Sequence, residues 1–276
     1  MTEIQSLILG IIQGLTEFLP VSSSGHLVFF QHVFGLKKPE LFFDICVHLG
    51  TLLSVIVVFW KELRKIIIAF IHYSMLFFKK KRFDSDNNSL TWDVKMAIFI
   101  FIGSIPTAIV GFFLNELTNR LFSSLVVVGI SLIITGTIIW STRMIKQTSQ
   151  NNACFDKKRA FIIGIVQGIA VIPGISRSGS TITAGLFLGL NRDMAARYSF
   201  LLSIPAILGA AVSNLSSMPT FTYCFFSTLL IGTLTSFIVG LCALKSLLHL
   251  VNKGQLHYFA PYCWIIGITV LFINYK

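Results

Sequence analysis

Gly10-Ile-Ile-Gln13-Gly14-Leu-Thr16-Glu17-Phe-Leu-Pro20-Val-Ser22-Ser23-Ser24-Gly25-His26 begins as an apolar run and then breaks. A second stretch is laid out the same way: Gly164-Ile-Val-Gln167-Gly168-Ile-Ala-Val-Ile-Pro173-Gly174-Ile-Ser176-Arg177-Ser178-Gly179-Ser180-Thr181. Each carries groups that a bilayer rejects, Glu17 and His26 in one and Arg177 in the other. Helix-breaking polar backbone persists at membrane depth only where protein buries it or water reaches it. Ionisable side chains there are costly and mark functional sites. Gly10, Gln13 and Gly14 match Gly164, Gln167 and Gly168 at an offset of 154 residues. Ser24-Gly25 matches Ser178-Gly179, and Gly35-Leu36 matches Gly189-Leu190, at the same offset, while the prolines differ by one. This layout points to an internal duplication whose halves meet around one polar site.

Composition places both stretches in a membrane. The 276 residues are 54% hydrophobic and 12% charged, with a mean hydropathy of +0.80. Soluble domains carry about a quarter charged residues. Continuous apolar spans near 42–60, 95–113, 122–140, 198–217, 224–244 and 257–275 are long enough to cross a bilayer as helices. The N-terminus has no basic region ahead of an apolar one, so no cleaved signal peptide is read there. Residues 66–78 are too short for a full span and read as an interfacial or partial helix. Residues 83–93 and 142–159 read as polar linkers.

The net charge of +11 belongs to topology rather than to nucleic acid. Lys61, Arg64, Lys65 and Lys79–Arg82 follow the first span. Arg143, Lys146 and Lys157–Arg159 lie between the halves, and Lys245 and Lys253 precede the last span. By the positive-inside rule these loops are cytoplasmic, and the basic-poor loops near 114–121 and 218–223 face outward. The run at Lys79–Arg82 can also touch anionic lipid. The first polar stretch, within residues 1–36, then enters and leaves from outside, and the second from the cytoplasm. The expected fold is all-α: six full transmembrane helices plus two re-entrant helix hairpins in an inverted-topology repeat, forming one membrane domain over 1–276. The first repeat covers 1–141, with an interfacial segment at 62–93, and the second covers 157–276. An odd number of spans per half inverts the second relative to the first.

Several residues in the two stretches suit chemistry on a phosphate. Glu17 lies one helical turn after Gln13, so the two share a face. A carboxylate and a carboxamide oxygen there suit a hard divalent cation that keeps its waters; Glu17 also suits a general base or, more plainly, an interfacial acid. Ser22, Ser23, Ser24 and His26 follow Pro20, offering a nucleophile beside an acid or base; a serine here also suits a helix cap. Ser176, Arg177, Ser178 and Thr181 begin a helical run after Pro173-Gly174. A helix start and a guanidinium together cradle an anion, although Arg177 could instead pair with Glu17 for structure alone. His32 and His48 read as packing or interface histidines. The five cysteines show no zinc or disulfide spacing and read as free thiols. Gly10/Gly14 and Gly164/Gly168 have small-xxx-small spacing, which close packing within one chain explains and which leaves a homodimer open.

At these residues the chain resembles the undecaprenyl-diphosphate phosphatase family, the bacitracin-resistance membrane proteins of bacteria. Gln13 to Glu17 with Pro20 to His26 is similar to the family's first motif, and Pro173 to Thr181 to its second. Phe43 to Gly50 and Tyr198 to Ala206 are similar to further blocks, so the resemblance covers nearly the whole chain. It implies hydrolysis of undecaprenyl diphosphate to the monophosphate, which recycles the lipid carrier of cell-wall synthesis and confers bacitracin resistance. It also implies a Mg2+ or Ca2+ ion and a site opening to the outer face of the inner membrane. Glu17 carries over as acid, base or metal ligand, Ser23 as nucleophile, His26 as proton-transfer residue or rival nucleophile, and Arg177 as the diphosphate clamp. Ser176, Ser178 and Thr181 carry over as phosphate contacts, with Ser22 and Ser24 beside them. Gln13 stands where many members have Glu, which removes a charge from that metal position. The expected partners are a polyprenyl diphosphate and membrane lipid. A secondary transporter or polyprenyl-phosphate flippase shares the inverted-repeat architecture and is the alternative.

Overall fold

A computed structural model describes residues 1–36, 40–78, 88–122, 124–145, 155–213 and 223–275. Among these residues every regular element is helical: α1 (Glu3–Phe18), α2 (Ser23–Val33), α3 (Leu41–Val58), α4 (Trp60–Phe78), α5 (Asn88–Phe122), α6 (Leu125–Ser141), α7 (Lys157–Ile169), α8 (Arg177–Phe187), α9 (Arg192–Ser213), α10 (Tyr223–Asn252) and α11 (Ala260–Tyr275). Six segments are long and apolar enough to cross a membrane: Leu41–Val58, Trp92–Leu114, Leu125–Met144, Arg192–Ser213, Phe226–Asn252 and Leu256–Ile273. The protein is therefore a multi-pass α-helical membrane protein. The two broken stretches form helix–turn–helix pairs, α1–α2 and α7–α8.

Boundaries differ from the hydropathy reading where polar residues continue a helix. The outward loop expected at 114–121 lies inside α5, because Asn-Glu-Leu-Thr-Asn-Arg contains no glycine or proline to stop it. Residues 88–93, expected in a linker, form the first turns of the same helix. Residues 66–78 are not a separate short segment, since α4 runs unbroken from Trp60. Helix α9 begins at Arg192 rather than near 198, because the Asn191 side chain accepts from the Met194 amide at 2.7 Å and starts the helix early. Arg197, within that polar turn, pairs with Glu62 of α4 and Asp193 of α9. Asp156 caps α7, so residues 157–159 leave the expected linker. The run Lys79–Arg82, the loop at 218–222, Lys146 and Cys154 lie outside the described residues. Cys46, Cys242 and Cys263 are free thiols, as expected.

The two helix pairs are capped alike. Ser22 and Ser176 accept from the amides of Gly25 and Gly179 at 3.3 and 3.1 Å, starting α2 and α8. Both helices end in a Schellman turn with a left-handed glycine, Gly35 at φ 71° and Gly189 at φ 85°. Each pair's first helix then packs on a span of the other half through glycine. A Cβ at Gly10 would fall 2.7 Å from the Gly232 carbonyl of α10, and one at Gly164 would enter the backbone of Gly103 in α5. Gly14 and Gly168 likewise abut Val239 and Val110. These glycines are occupied inside the chain and present no surface to a second copy.

The turns of the two pairs meet in the middle. Gly25 packs on Gly174, and Gly179 on Pro20, each with a virtual Cβ contact of 3.1 Å. Helices α6 and α11 run antiparallel beside them, Gly129 facing Gly267 and Gly136 facing Ala260. The first turn reaches Cys263, near the start of α11, through the Pro20 carbonyl at 3.6 Å. The second turn packs Gly174 on Val128 and Ser131 of α6. By that pairing Cys263 lies level with the middle of α6, where Ser131 and Thr135 hold the second turn, so both turns meet the α6–α11 pair at the same depth.

Gly164→Ala is expected to lose about 1–3 kcal/mol of stability by overpacking, read as denaturant or thermal unfolding in detergent. Gly111→Ala, where a Cβ meets nothing within 4 Å, is the matched control and should not destabilise.

Candidate active site

Glu17 sits at the centre of the junction, on the last turn of α1 and 7% exposed. Its Oε1 is ion-paired with Arg177 Nη2 at the start of α8. Its Oε2 accepts from Ser23 Oγ at 2.6 Å and from Gln13 Nε2 at 2.9 Å. Three residues expected from the sequence thus converge on the Glu17 carboxylate, although Glu17 and Arg177 are 160 residues apart. The shared face of Gln13 and Glu17 follows from their four-residue spacing on one helix. Ser23 arrives because the chain reverses within Leu19–Ser22 and starts α2 directly above the end of α1.

Two polar atoms in this cluster are buried without a partner: Arg177 Nη1 and Gln13 Oε1. A buried unmade donor or acceptor is expensive, about 1–3 kcal/mol. One is a cationic donor and the other an oxygen acceptor, which is what an incoming anion and its counter-cation would respectively use. An ion pair this buried is a poor source of net stability, so the structural reading of Arg177 leaves its second nitrogen unexplained.

The serines divide between capping and chemistry. Ser22 and Ser176 are the caps described above, with Ser24 Oγ 3.3 Å from Ser22 Oγ and Ser178 Oγ 3.3 Å from Ser176 Oγ. Of these serines, Ser23 alone donates to Glu17. Thr181 is turned into the bundle: its hydroxyl bonds the Arg177 carbonyl at 2.7 Å and Ser199 Oγ at 2.6 Å, supporting the first turn of α8 from behind. Thr135 of α6 ties the turn before it, accepting from the Ser176 amide at 3.0 Å and donating to the Gly174 carbonyl at 2.8 Å.

The histidines depart from the sequence reading. His48, read as a packing residue, places Nε2 3.5 Å from Glu17 Oε2 while its Nδ1 bonds the Asp44 carbonyl at 2.7 Å. An ionisable group in the first span was the available signal. Asp44 in turn accepts from Gln31 of α2 at 2.7 Å. His26 lies in the loop but bonds neither Ser23 nor Glu17. Its Nδ1 bonds the Ser22 carbonyl and its Nε2 the Tyr262 hydroxyl of α11, both at 2.8 Å. His32 is on the surface. Nothing in the sequence singled out Tyr262 or Thr135, which lie in ordinary apolar spans, and Ser199 lay within the family-like block Tyr198 to Ala206 without a role.

Among the described residues no three His, Cys, Asp or Glu side chains gather as a metal cage. Glu17 and Gln13 offer one charged and one neutral oxygen, a set that fits a hard cation drawing its other ligands from water and phosphate and does not fit a soft one.

A carboxylate on a hydroxyl, beside a half-used guanidinium at a helix start, is equipped to bind and attack a phosphate. Comparison with known proteins agrees. The chain is similar to proteins named undecaprenyl-diphosphatase from Desulfosudis oleivorans, 49% identical over 100% of both chains, and from Desulforapulum autotrophicum, 47% identical over 98% of both. One of that name from Korarchaeum cryptofilum is 42% identical over 97% of both. The family described as bacitracin resistance protein BacA matches residues 6–269, which include both broken stretches and all but the end of the last span, and the chain belongs to that family.

Proposed function

We propose that the protein hydrolyses undecaprenyl diphosphate to undecaprenyl phosphate and inorganic phosphate. The observation that carries this reading is the Ser23–Glu17 bond, made on the same carboxylate that holds Arg177. The three relatives above are all named for this phosphatase activity, and nothing in the site favours a transporter. Return of the monophosphate supplies the carrier for cell-wall synthesis, and the reaction confers bacitracin resistance, in keeping with the family's name.

The chemistry follows from the charges. An arriving diphosphate competes with Glu17 for Arg177, whose Nη1 is already free to donate. The start of α8 adds its dipole to the same anion. Glu17, relieved of one partner, remains bonded to Ser23 and takes its proton as Ser23 Oγ attacks the terminal phosphorus. A Ser23 O–P bond forms, the P–O bond to the lipid phosphate breaks, and the lipid monophosphate leaves. Water then attacks the phosphorus on Ser23, the Ser23 O–P bond breaks, Glu17 returns its proton to Ser23 Oγ, and the water's oxygen and hydrogens leave with inorganic phosphate. Direct attack by a water held on Glu17 uses the same base and differs only in the bond first formed. Most of the acceleration in such transfers comes from positioning and charge neutralisation. Mg2+ or Ca2+, held by Glu17 and the unpartnered Gln13 oxygen, would add positive charge to the phosphate oxygens.

Supporting placements come from the fold. Reciprocal packing of Gly25 on Gly174 and of Pro20 on Gly179, with matched caps and Schellman turns, supports a repeat of 1–141 and 157–276; three spans per repeat make the second an inverted copy of the first, its pair re-entrant from the opposite face. The basic residues Arg143, Lys157–Arg159 and Lys253, cytoplasmic by the positive-inside rule, support an orientation with the pair α1–α2 on the outer side of a bacterial inner membrane. The lipid tail stays in the bilayer while the diphosphate reaches the site from outside.

Glu17→Gln and Arg177→Lys are each expected to lower kcat for phosphate release from undecaprenyl diphosphate by about 10²–10³-fold, the lysine because it lacks the planar fork. Wild-type-like rates in both would remove the site. Ser23→Ala separates the two routes: loss of activity supports the serine, and retained activity assigns the attack to water. In right-side-out vesicles, Val33→Cys should react with an impermeant thiol reagent and Lys253→Cys only after permeabilisation; the reverse pattern would overturn the orientation.

A further inference from the structure

We infer that His26 and Tyr262 are a positioning couple, which holds the Ser22 peptide in an unusual conformation and so aims Ser23 at Glu17, and that His26 does not carry the reaction's proton. The inference rests on the Ser23–Glu17 pair being the reacting one.

Ser22 is the only residue other than glycine with positive φ among the described residues, at 69°. L-residues avoid this region, and such backbone persists only where its surroundings hold it. Ser22 immediately precedes Ser23, so its dihedrals set the direction in which Ser23 leaves the turn. The Ser22 carbonyl is held from two sides by one residue. It accepts from the His26 amide at 3.2 Å and from His26 Nδ1 at 2.8 Å. A carbonyl only accepts, so Nδ1 carries the ring's proton, and in the neutral ring Nε2 accepts the Tyr262 hydroxyl. The ring is 3% exposed and lies parallel to Tyr262, with 5° between planes and 5.7 Å between centroids. Both nitrogens are therefore committed away from Ser23 and Glu17. The residue after Tyr262, Cys263, bonds the Pro20 carbonyl of the same turn, so α11 grips the loop at two points.

The other half of the chain supplies an internal control. Ser176 occupies the position of Ser22, caps its helix in the same way and has an ordinary φ of −75°. The position of His26 is there held by Ser180, whose hydroxyl has no partner. The position of Ser23 is held by Arg177, a long side chain that reaches Glu17 from behind an N-cap of ordinary φ, the left-handed residue of that turn being a glycine, Gly174 at φ 94°. The unusual peptide and the imidazole strap occur together, and only in the half whose short serine must be brought to the carboxylate.

Asparagine and glutamine separate the two roles of a histidine. In His26→Asn the side-chain amide places an N–H where Nδ1 donates and keeps the strap. In His26→Gln the longer side chain places its N–H near the position of Nε2 and loses the strap. With purified full-length protein and undecaprenyl diphosphate, His26→Gln should lose about 10²-fold in kcat at little-changed KM, the cost of a nucleophile misplaced by about 1 Å, while His26→Asn should recover most of that loss. Tyr262→Phe should lower kcat alone but add nothing on top of His26→Asn, because Tyr262 reaches the Ser22 carbonyl only through Nε2. His26→Asn falling as far as His26→Gln, with a limb of the pH–kcat profile lost in both, would overturn the inference and return His26 to proton transfer. If His26→Asn does not fold, Tyr262→Phe decides: a lower kcat with an unmoved pH profile supports the couple, and a displaced profile defeats it. Ser23→Ala run alongside keeps the two readings apart. If it stays active, the reacting pair is wrong; if it is inactive while His26→Asn fails to rescue, only the positioning couple is.

Discussion

The carboxylate of Glu17 and the guanidinium of Arg177 meet inside a bundle of apolar helices, and the architecture around them makes that meeting tolerable. Two charges taken out of water cost several kcal/mol each unless they are paired and hydrogen-bonded. Glu17 meets the condition with Arg177, Ser23 and Gln13. Arg177 does so by half, since Nη1 remains unpartnered. That shortfall is tolerated in a protein whose ligand is an anion, because binding supplies the missing acceptor.

Bringing the pair together requires two polar turns to reach the bundle's centre, and the glycines make room for them. Gly10 on Gly232 and Gly164 on Gly103 let α1 and α7 lie against spans of the opposite half at backbone distance. Gly25 on Gly174 and Gly179 on Pro20 let the turns touch. Each helix pair is thus braced by the half to which it does not belong, so the site cannot be assembled from either half alone. The two turns share their caps and their glycine stops and differ at single positions, where one carries a serine and an acid and the other an arginine.

The sequence made the two turns, their helix caps and most of the carboxylate's partners legible, because their chemistry is local. The Gln13–Glu17 spacing, the serines after Pro20 and the start of α8 at Arg177 all fall within a few residues of a proline or glycine break. Helix ends were less legible. Residues 114–122 are polar yet helical, and Arg192 begins a span that hydropathy starts later, because polarity ends an apolar run without ending a helix. His48 lay in a span with nothing local to mark its target.

What the residues alone determined is an all-helical membrane protein with two broken stretches, one bearing an acid and the other an arginine. The bilayer forbids such groups without a purpose, and the 3.6-residue repeat fixes which of them share a face. What only the tertiary structure decided is which partner each group takes: His48 on Glu17, His26 on Ser22 and Tyr262, Thr181 on Ser199. Those choices depend on helices that are distant in the chain and adjacent in space, and no periodicity along a single segment encodes them.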